Sequence, residues 1–364
     1  MKICLVAKTS DPLTGGLGRH IFELGNRLEE KDYDVTLITP DIPEDMELKP
    51  KVLRVKKFTN HLFFDQYFSI PQIYKEIMSR KEFDIIHCHE MVLWAGILAK
   101  LTGKDAKLVY TIHGIPEKLA SRKLPWIIKK YLNLEQKVFT RFADKIICVS
   151  KHTLNDVEKM YAPEPSNMVQ IYNGVDIERF RPSEKFRQQI LFVGRLTKIK
   201  GPDLVLDAFS NIASDYPNLT LIIVGRGKLK QALKNKARDA GLEDRIKFLE
   251  CIDDSKLSNL YSESIFVMPS SYEGQGIVYV EALSSGAPVI ACDKSAVPEM
   301  IENGYNGFLT PRTSSGIEGA LRQLLNDGEL RRDLRENGRS SAKKFAWREV
   351  IEDTTLVYKD LKSK

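Results

Sequence analysis

Two short stretches of this sequence place charged side chains where a phosphorylated, hydroxyl-rich ligand could use them. In Gly194-Arg195-Leu196-Thr197-Lys198-Ile199-Lys200-Gly201, a guanidinium and an ammonium share one glycine-bounded loop. Arg195 is a planar fork and Lys200 a point charge, and together they can neutralise a diphosphate. In Pro269-Ser270-Ser271-Tyr272-Glu273-Gly274-Gln275-Gly276, Glu273 sits in a loop, and Glu281 follows on the helix that starts near Gly276. One carboxylate can accept bonds from sugar hydroxyls and the other from a ribose diol. Gly274 and Gly276 let backbone approach a ligand, and helix-start N–H groups receive phosphate oxygens. The plainer alternatives are a solvated basic loop, an exposed helical Glu281, and a Glu273 that faces the helix dipole.

The elements around these loops decide between the readings. Ile190–Val193 and Ile265–Met268 are continuous apolar runs that enter the two loops directly. Open parallel sheets bind ligands at the carboxyl ends of their strands, so position favours ligand binding. Similar runs recur along the chain: Ile3–Ala7, Val35–Ile38, Ile85–Cys88, Leu108–Ile112, Ile146–Val149 and Val169–Tyr172, then Leu219–Val224, Ile246–Leu249 and Val289–Ala291. Apolar runs alternating with helical spacing, such as Leu17, His20, Ile21, Leu24 and Leu28, predict an α/β fold with parallel sheets covered on both faces. The pattern breaks in the polar stretch after Asn173 and restarts, predicting a first domain over 1–175, a linker over 176–185 and a second domain over 186–346. The helical tail from 347 is a candidate to pack back on the first domain.

His113, just past Leu108–Ile112, is the histidine best placed for chemistry, against the alternative of a packed or turn residue. His87 and His89 alternate at a strand end and read as structural or as lining, ahead of a metal pair. Gly16-Leu17-Gly18-Arg19-His20-Ile21 is a broken dinucleotide fingerprint, with Ile21 where the third glycine belongs. Asp32-Tyr33-Asp34 reads as a surface turn, so no required metal is inferred.

With these residues in view, the sequence resembles the family-4 retaining glycosyltransferases, whose second domain is known as glycosyl transferases group 1. The resemblance rests on residues 194–201, Val224-Gly225, 269–291, Asn173-Gly174-Val175-Asp176 and 15–20, and extends over essentially the whole chain. It implies a GT-B fold of two facing Rossmann-like domains, and hexosyl transfer from a nucleoside diphosphate sugar to a carbohydrate, lipid-linked or small-molecule acceptor. It assigns Arg195 and Lys200, near Gly194, to the diphosphate, Glu273 to the transferred sugar, and Glu281 to the ribose. Backbone at Gly276 and Ile277 would assist, Gly16 would line the cleft, and His113 would contact the sugar. Gln275 replaces the family's usual aromatic, and Arg226 stands where many members carry an acid. A nucleotide-sugar 2-epimerase and a non-catalytic nucleotide-sugar-binding subunit are the rival readings. No cofactor is implied beyond the donor itself.

Bulk properties bound the rest. The 364 residues suit two domains, and the net charge of +6 gives no indication of nucleic acid. Five cysteines without a CxxC pair read as reduced thiols, and no signal peptide or spanning segment is evident, which predicts a cytoplasmic protein. The basic, aromatic stretch 122–145 offers two readings: a core-facing amphipathic helix, or a peripheral contact at the inner membrane face.

Overall fold

The computed structural model describes residues 1–12, 15–42, 48–56, 62–80, 83–115, 125–183, 185–250 and 252–363, the side chains of 62–66 and 91 excepted. The chain divides into two compact units, Met1–Asn173 with Arg348–Lys364, and Gly174–Trp347.

Unit 1 contains β1 (Lys2–Val6), β2 (Asp34–Thr39), β3 (Lys51–Arg54), β4 (Ile85–His89), β5 (Lys107–Ile112), β6 (Lys145–Cys148) and β7 (Met168–Gln170). They form one sheet in the order β3-β2-β1-β4-β5-β6-β7. Its helices among the described residues are α1 (Gly16–Glu29), α2 (Leu62–Met78), α3 (Leu93–Leu101), α4 (Trp126–Phe142) and α5 (Lys151–Tyr161). Unit 2 contains β8 (Gln189–Val193), β9 (Thr220–Val224), β10 (Ile246–Leu249), β11 (Ile265–Met268), β12 (Val289–Cys292) and β13 (Phe308–Thr310), ordered β10-β9-β8-β11-β12-β13. Helices α6 (Pro202–Ile212), α7 (Lys230–Asp239), α8 (Asp254–Glu263), α9 (Ile277–Ser284), α10 (Ser314–Asn326) and α11 (Gly328–Ala342) accompany it, and α12 (Trp347–Lys362) follows.

All strand pairs are parallel. The inner strands are buried on both faces, which is why they read as unbroken apolar runs. The two strands absent from the sequence reading are edges: β3 is exposed or half-buried throughout, and β13 is three half-buried residues. In each sheet the order reverses beside the first strand, β1 or β8. Open parallel sheets bind ligands at the carboxyl ends of the strands beside such a reversal, here the loops after β1 and β4 and after β8 and β11.

The described residues of the stretch 176–185, expected to be a linker, fall within unit 2. Phe180 is buried and its carbonyl accepts from Ser284 Oγ at 2.9 Å, while Arg335 Nη2 donates to the Ser183 carbonyl at 2.6 Å. Helix α12 joins unit 1 from Arg348 onward. Its Tyr358 hydroxyl meets His87 Nδ1 at 2.6 Å, and Lys362 Nζ lies 3.0 Å from Asp84. Cys4, Cys88, Cys148 and Cys292 are buried free thiols, and burial pushes the Cys148 thiol up to about 12. Cys251 lies outside the described residues.

Packing makes two glycines opposite in character. A Cβ on Gly174 would stand 2.3 Å from the Trp347 indole, whereas one on Gly319, mid-helix in α10, would meet nothing. Gly174→Ala is expected to cost roughly 1–3 kcal/mol by overpacking. Gly319→Ala should stabilise by about 0.5–1 kcal/mol. Urea denaturation of the two variants checks both signs.

Candidate functional site

In unit 2 the loop after β8 carries Arg195 and Lys200 and runs into α6, whose N-cap Gly201 has φ +71°. A Cβ at Gly201 would lie 2.9 Å from the Pro269 carbonyl, so only glycine lets the two site loops touch here. Gly225 does the same for Gly194: its φ is +143° and a Cβ would fall 2.0 Å from the Gly194 carbonyl. Ser271 N–H donates to the Ile199 carbonyl at 2.8 Å. Arg312 Nε donates to the Pro269 carbonyl at 2.8 Å, and its Nη2 donates to the Lys198 carbonyl. The guanidinium thus rivets the loop after β8 to the loop after β11.

The rivet brings two of the predicted charges together. Lys200 Nζ lies 2.5 Å from Glu273 Oε1, with only 15% and 8% of the two side chains exposed. Glu273 is also held through its backbone, whose N–H donates to Ser295 Oγ at 2.8 Å. Ser295 adopts the left-handed φ of +51° in doing so. Glu281, on α9, is buried and accepts from the Tyr261 hydroxyl at 3.1 Å, so it is not the exposed helical residue of the plainer reading. Gln275 is buried, and Arg195 stands exposed on its loop.

Helix α9 opens at Gly276, with φ +97°, and no side chain caps it. Four helices do carry a cap, with Ser150, Asp253, Thr313 and Asp327 accepting from the first turns of α5, α8, α10 and α11, whereas α3, α4 and α7 have none. An uncapped start leaves N–H groups, Ile277's among them, for an anion. The α9 C-terminus is closed in contrast. Gly286 N–H donates to the Leu283 carbonyl and Ala287 N–H to that of Ala282, with Gly286 at φ +72°.

In unit 1, α1 begins at Gly16 after Gly15 and likewise has no side-chain cap and no acid in its first turn. Past β4, Glu90 ion-pairs with Lys8, joining the segments after β1 and β4. His113 follows β5 and its Nε2 lies 3.0 Å from His89 Nδ1. His87 uses both nitrogens, on the Tyr358 hydroxyl and on Thr111 Oγ1 at 2.7 Å. The His20 ring stands 5.1 Å from that of His113. Among the described residues, His20, His89 and His113 are the histidine cluster whose nitrogens, within 4.8 Å of one another, could hold a cation. One nitrogen each of His89 and His113 is already spent on the other. Burial, then neighbouring imidazoles, depresses all four rings, His87 and His113 to about 3. Lys8 lowers His113 further, and a hydrogen bond with Asn173 opposes the shift. At neutral pH the rings are therefore uncharged hydrogen-bonding groups.

Arg312, Ser295, Tyr261 and Tyr358 escaped sequence reasoning. Each reaches its partner across a long separation in the chain, and no local pattern announces such a contact.

The chain and its fold match known proteins. The family model for glycosyltransferase family 4 matches residues 14–179, and that for glycosyl transferases group 1 matches residues 176–341. The chain belongs to this family: it is a nucleotide-sugar glycosyltransferase with a GT-B-like fold. It is 28% identical over 360 residues to a glycosyltransferase of Methanocaldococcus jannaschii, covering 96% of each chain. Its fold is similar to that of sucrose-phosphate synthase from Thermosynechococcus elongatus, with a TM-score of 0.84 over 99% of both chains at 19% identity. It is also similar to Anabaena HepE in complex with UDP and glucose, with a TM-score of 0.81 at 20% identity, covering 99% of this chain and 100% of the other.

The histidine cluster makes folding sensitive to acid. Unfolded, each ring returns to its ordinary value of 6.5, while the folded His87 stays near 3. Between those values the unfolded chain binds the extra proton, so this stability is complete above 6.5 and is lost as pH falls toward 3. Each such histidine contributes a slope of about 1.4 kcal/mol per pH unit in that window. Denaturant titrations of wild type and His87→Asn at pH 7, 6 and 5 should show a shallower fall for the variant. Equal slopes would refute the assignment.

Proposed function

We propose that the enzyme moves a hexosyl unit from a nucleoside diphosphate sugar to an acceptor hydroxyl with retention of anomeric configuration. The observation that carries this reading is the Lys200–Glu273 pair in the loops flanking the unit 2 switch point. A cation for the diphosphate is held there against a carboxylate for the sugar. As the bond from the anomeric carbon to the diphosphate oxygen breaks, charge grows on the leaving group. Arg195, Lys200 and the uncapped N–H groups near Gly276 and Ile277 stabilise it. The acceptor oxygen bonds to the anomeric carbon on the face being vacated, and its proton passes to the departing phosphate oxygen. No enzymic nucleophile takes part. Glu273 binds the sugar hydroxyls instead of attacking the anomeric carbon.

Glu281 accepts from the ribose diol, its carboxylate fixed by Tyr261. Gly194, Gly274 and Gly276 bring backbone close to the donor. In unit 1 we assign Gly16 to the donor and acceptor side and neutral His113 to a sugar hydroxyl. Each follows a strand of a switch-point sheet. The mechanism uses no resident metal. HepE was solved with UDP-glucose, which makes a UDP-hexose the first donor to test. The acceptor is a glycan, a lipid-linked sugar or a small molecule.

Arg195→Ala and Lys200→Ala are each expected to lower kcat by roughly a hundredfold or more, the size of effect seen when one transition-state charge contact is removed. Glu281→Ala should mainly raise the donor KM. A thermal-shift screen over UDP-, GDP- and ADP-sugars selects the donor by mass action. Steady-state transfer assays then read the variants. Near-normal rates in both cation variants would sink the site, and isomerised donor without acceptor would favour a 2-epimerase.

A further inference from the structure

Helix α4 turns the wrong residues outward for a helix that serves only the core. Among the described residues, Trp126, Ile127 and Leu134 are 73%, 62% and 62% exposed, and the Tyr131 ring is half exposed. Their spacing puts Ile127, Tyr131 and Leu134 on one stripe. Lys130, Lys137 and Arg141, also exposed, line one side of that stripe. Solitary exposed hydrophobics need no explanation, but a contiguous set with one sign of charge beside it does.

The charge is of one sign because the helix has turned its sole acid inward. Glu135 is buried and accepts from Trp94 Nε1 at 2.6 Å, from the Tyr67 hydroxyl at 3.1 Å, and from Tyr131 at 3.5 Å. Burial raises its carboxyl above the ordinary value, and the three donors oppose the rise. The same anchoring fixes the roll of α4 and so fixes which residues face solvent. The first turn has no acid and no side-chain cap, leaving the positive helix end beside Trp126. Residues 122–124 of the stretch singled out in the sequence lie outside the described residues.

We propose that the outer face of α4 docks on an anionic phospholipid bilayer, with Trp126, Ile127, Tyr131 and Leu134 entering the interface and Lys130, Lys137 and Arg141 meeting lipid phosphates. A basic stripe beside an apolar one is the chemistry of interfacial helices. An anionic bilayer therefore fits better than a second copy of the chain, which would set like charge against like.

Trp126 supplies its own probe, because Trp347 is buried and Trp94 is held by Glu135. The full chain is mixed with vesicles of phosphatidylcholine alone or with added phosphatidylglycerol. Sedimentation and tryptophan emission are recorded at low and high salt. The expected result is salt-sensitive binding to the phosphatidylglycerol vesicles with a blue shift that Trp126→Phe abolishes. Lys130→Gln combined with Lys137→Gln should weaken partitioning about thirtyfold, at about 1 kcal/mol per basic residue near the surface. Ile127→Ser with Leu134→Ser should weaken it at least as much, with thermal melts unchanged because these side chains are exposed. The proposal is overturned by absence of binding to either vesicle, or by binding that neither double variant weakens. Self-association abolished by Leu134→Ser without vesicle partitioning overturns it too. Transfer assays on the same samples report separately on the donor site.

Discussion

The contact between Lys200 and Glu273 is the interaction around which unit 2 is arranged. Opposite charges this well shielded from solvent are costly to desolvate, and they persist only where geometry is imposed on both. The imposition is visible. Arg312 clamps both loops by backbone carbonyls, Ser295 takes an unusual backbone conformation to hold the Glu273 amide, and Gly201 removes the Cβ that would separate the loops. A cation kept on a carboxylate is also one that a diphosphate can recruit at low reorganisation cost, since the ammonium is already in place.

Helix α9 shows a comparable contrast between its own two ends. Where α5, α8, α10 and α11 satisfy their first N–H groups with Ser, Asp or Thr, α9 begins at a bare glycine. Its far end is closed by a glycine-dependent pair of hydrogen bonds, so the missing cap is confined to the end that meets the site. In α9 the chain thus meets the last carbonyls itself and leaves the first N–H groups without a side-chain partner.

What could be read from the sequence follows from what each element must do. Strands buried on both faces must be apolar without interruption, and β1, β4, β8 and β11 were visible for that reason. The edge strands β3 and β13 owe nothing to that rule and were missed. Arg195, Lys200, Glu273 and Glu281 stood out because charge beside glycine after a strand is locally unusual. Arg312 is as necessary to the geometry, yet its partners Lys198 and Pro269 are remote in the chain. Among the histidines, His113 was distinguishable by its place after β5. The involvement of His20, and the fixing of His87 by Tyr358 from the last helix, required the fold.

Burying a carboxylate is expensive, and a helix surface would accommodate Glu135 for nothing. The chain instead withdraws it and compensates with Trp94, Tyr67 and Tyr131. Core stability does not explain the choice, because an apolar residue at that position would pack without needing three donors. What the arrangement does achieve is an outer face of α4 free of negative charge, with an aromatic whose ring is at the surface and whose hydroxyl points toward the acid. In unit 2 a buried carboxylate, that of Glu273, holds the Lys200 cation. In unit 1 one is buried so that the cations left outside are uncompensated.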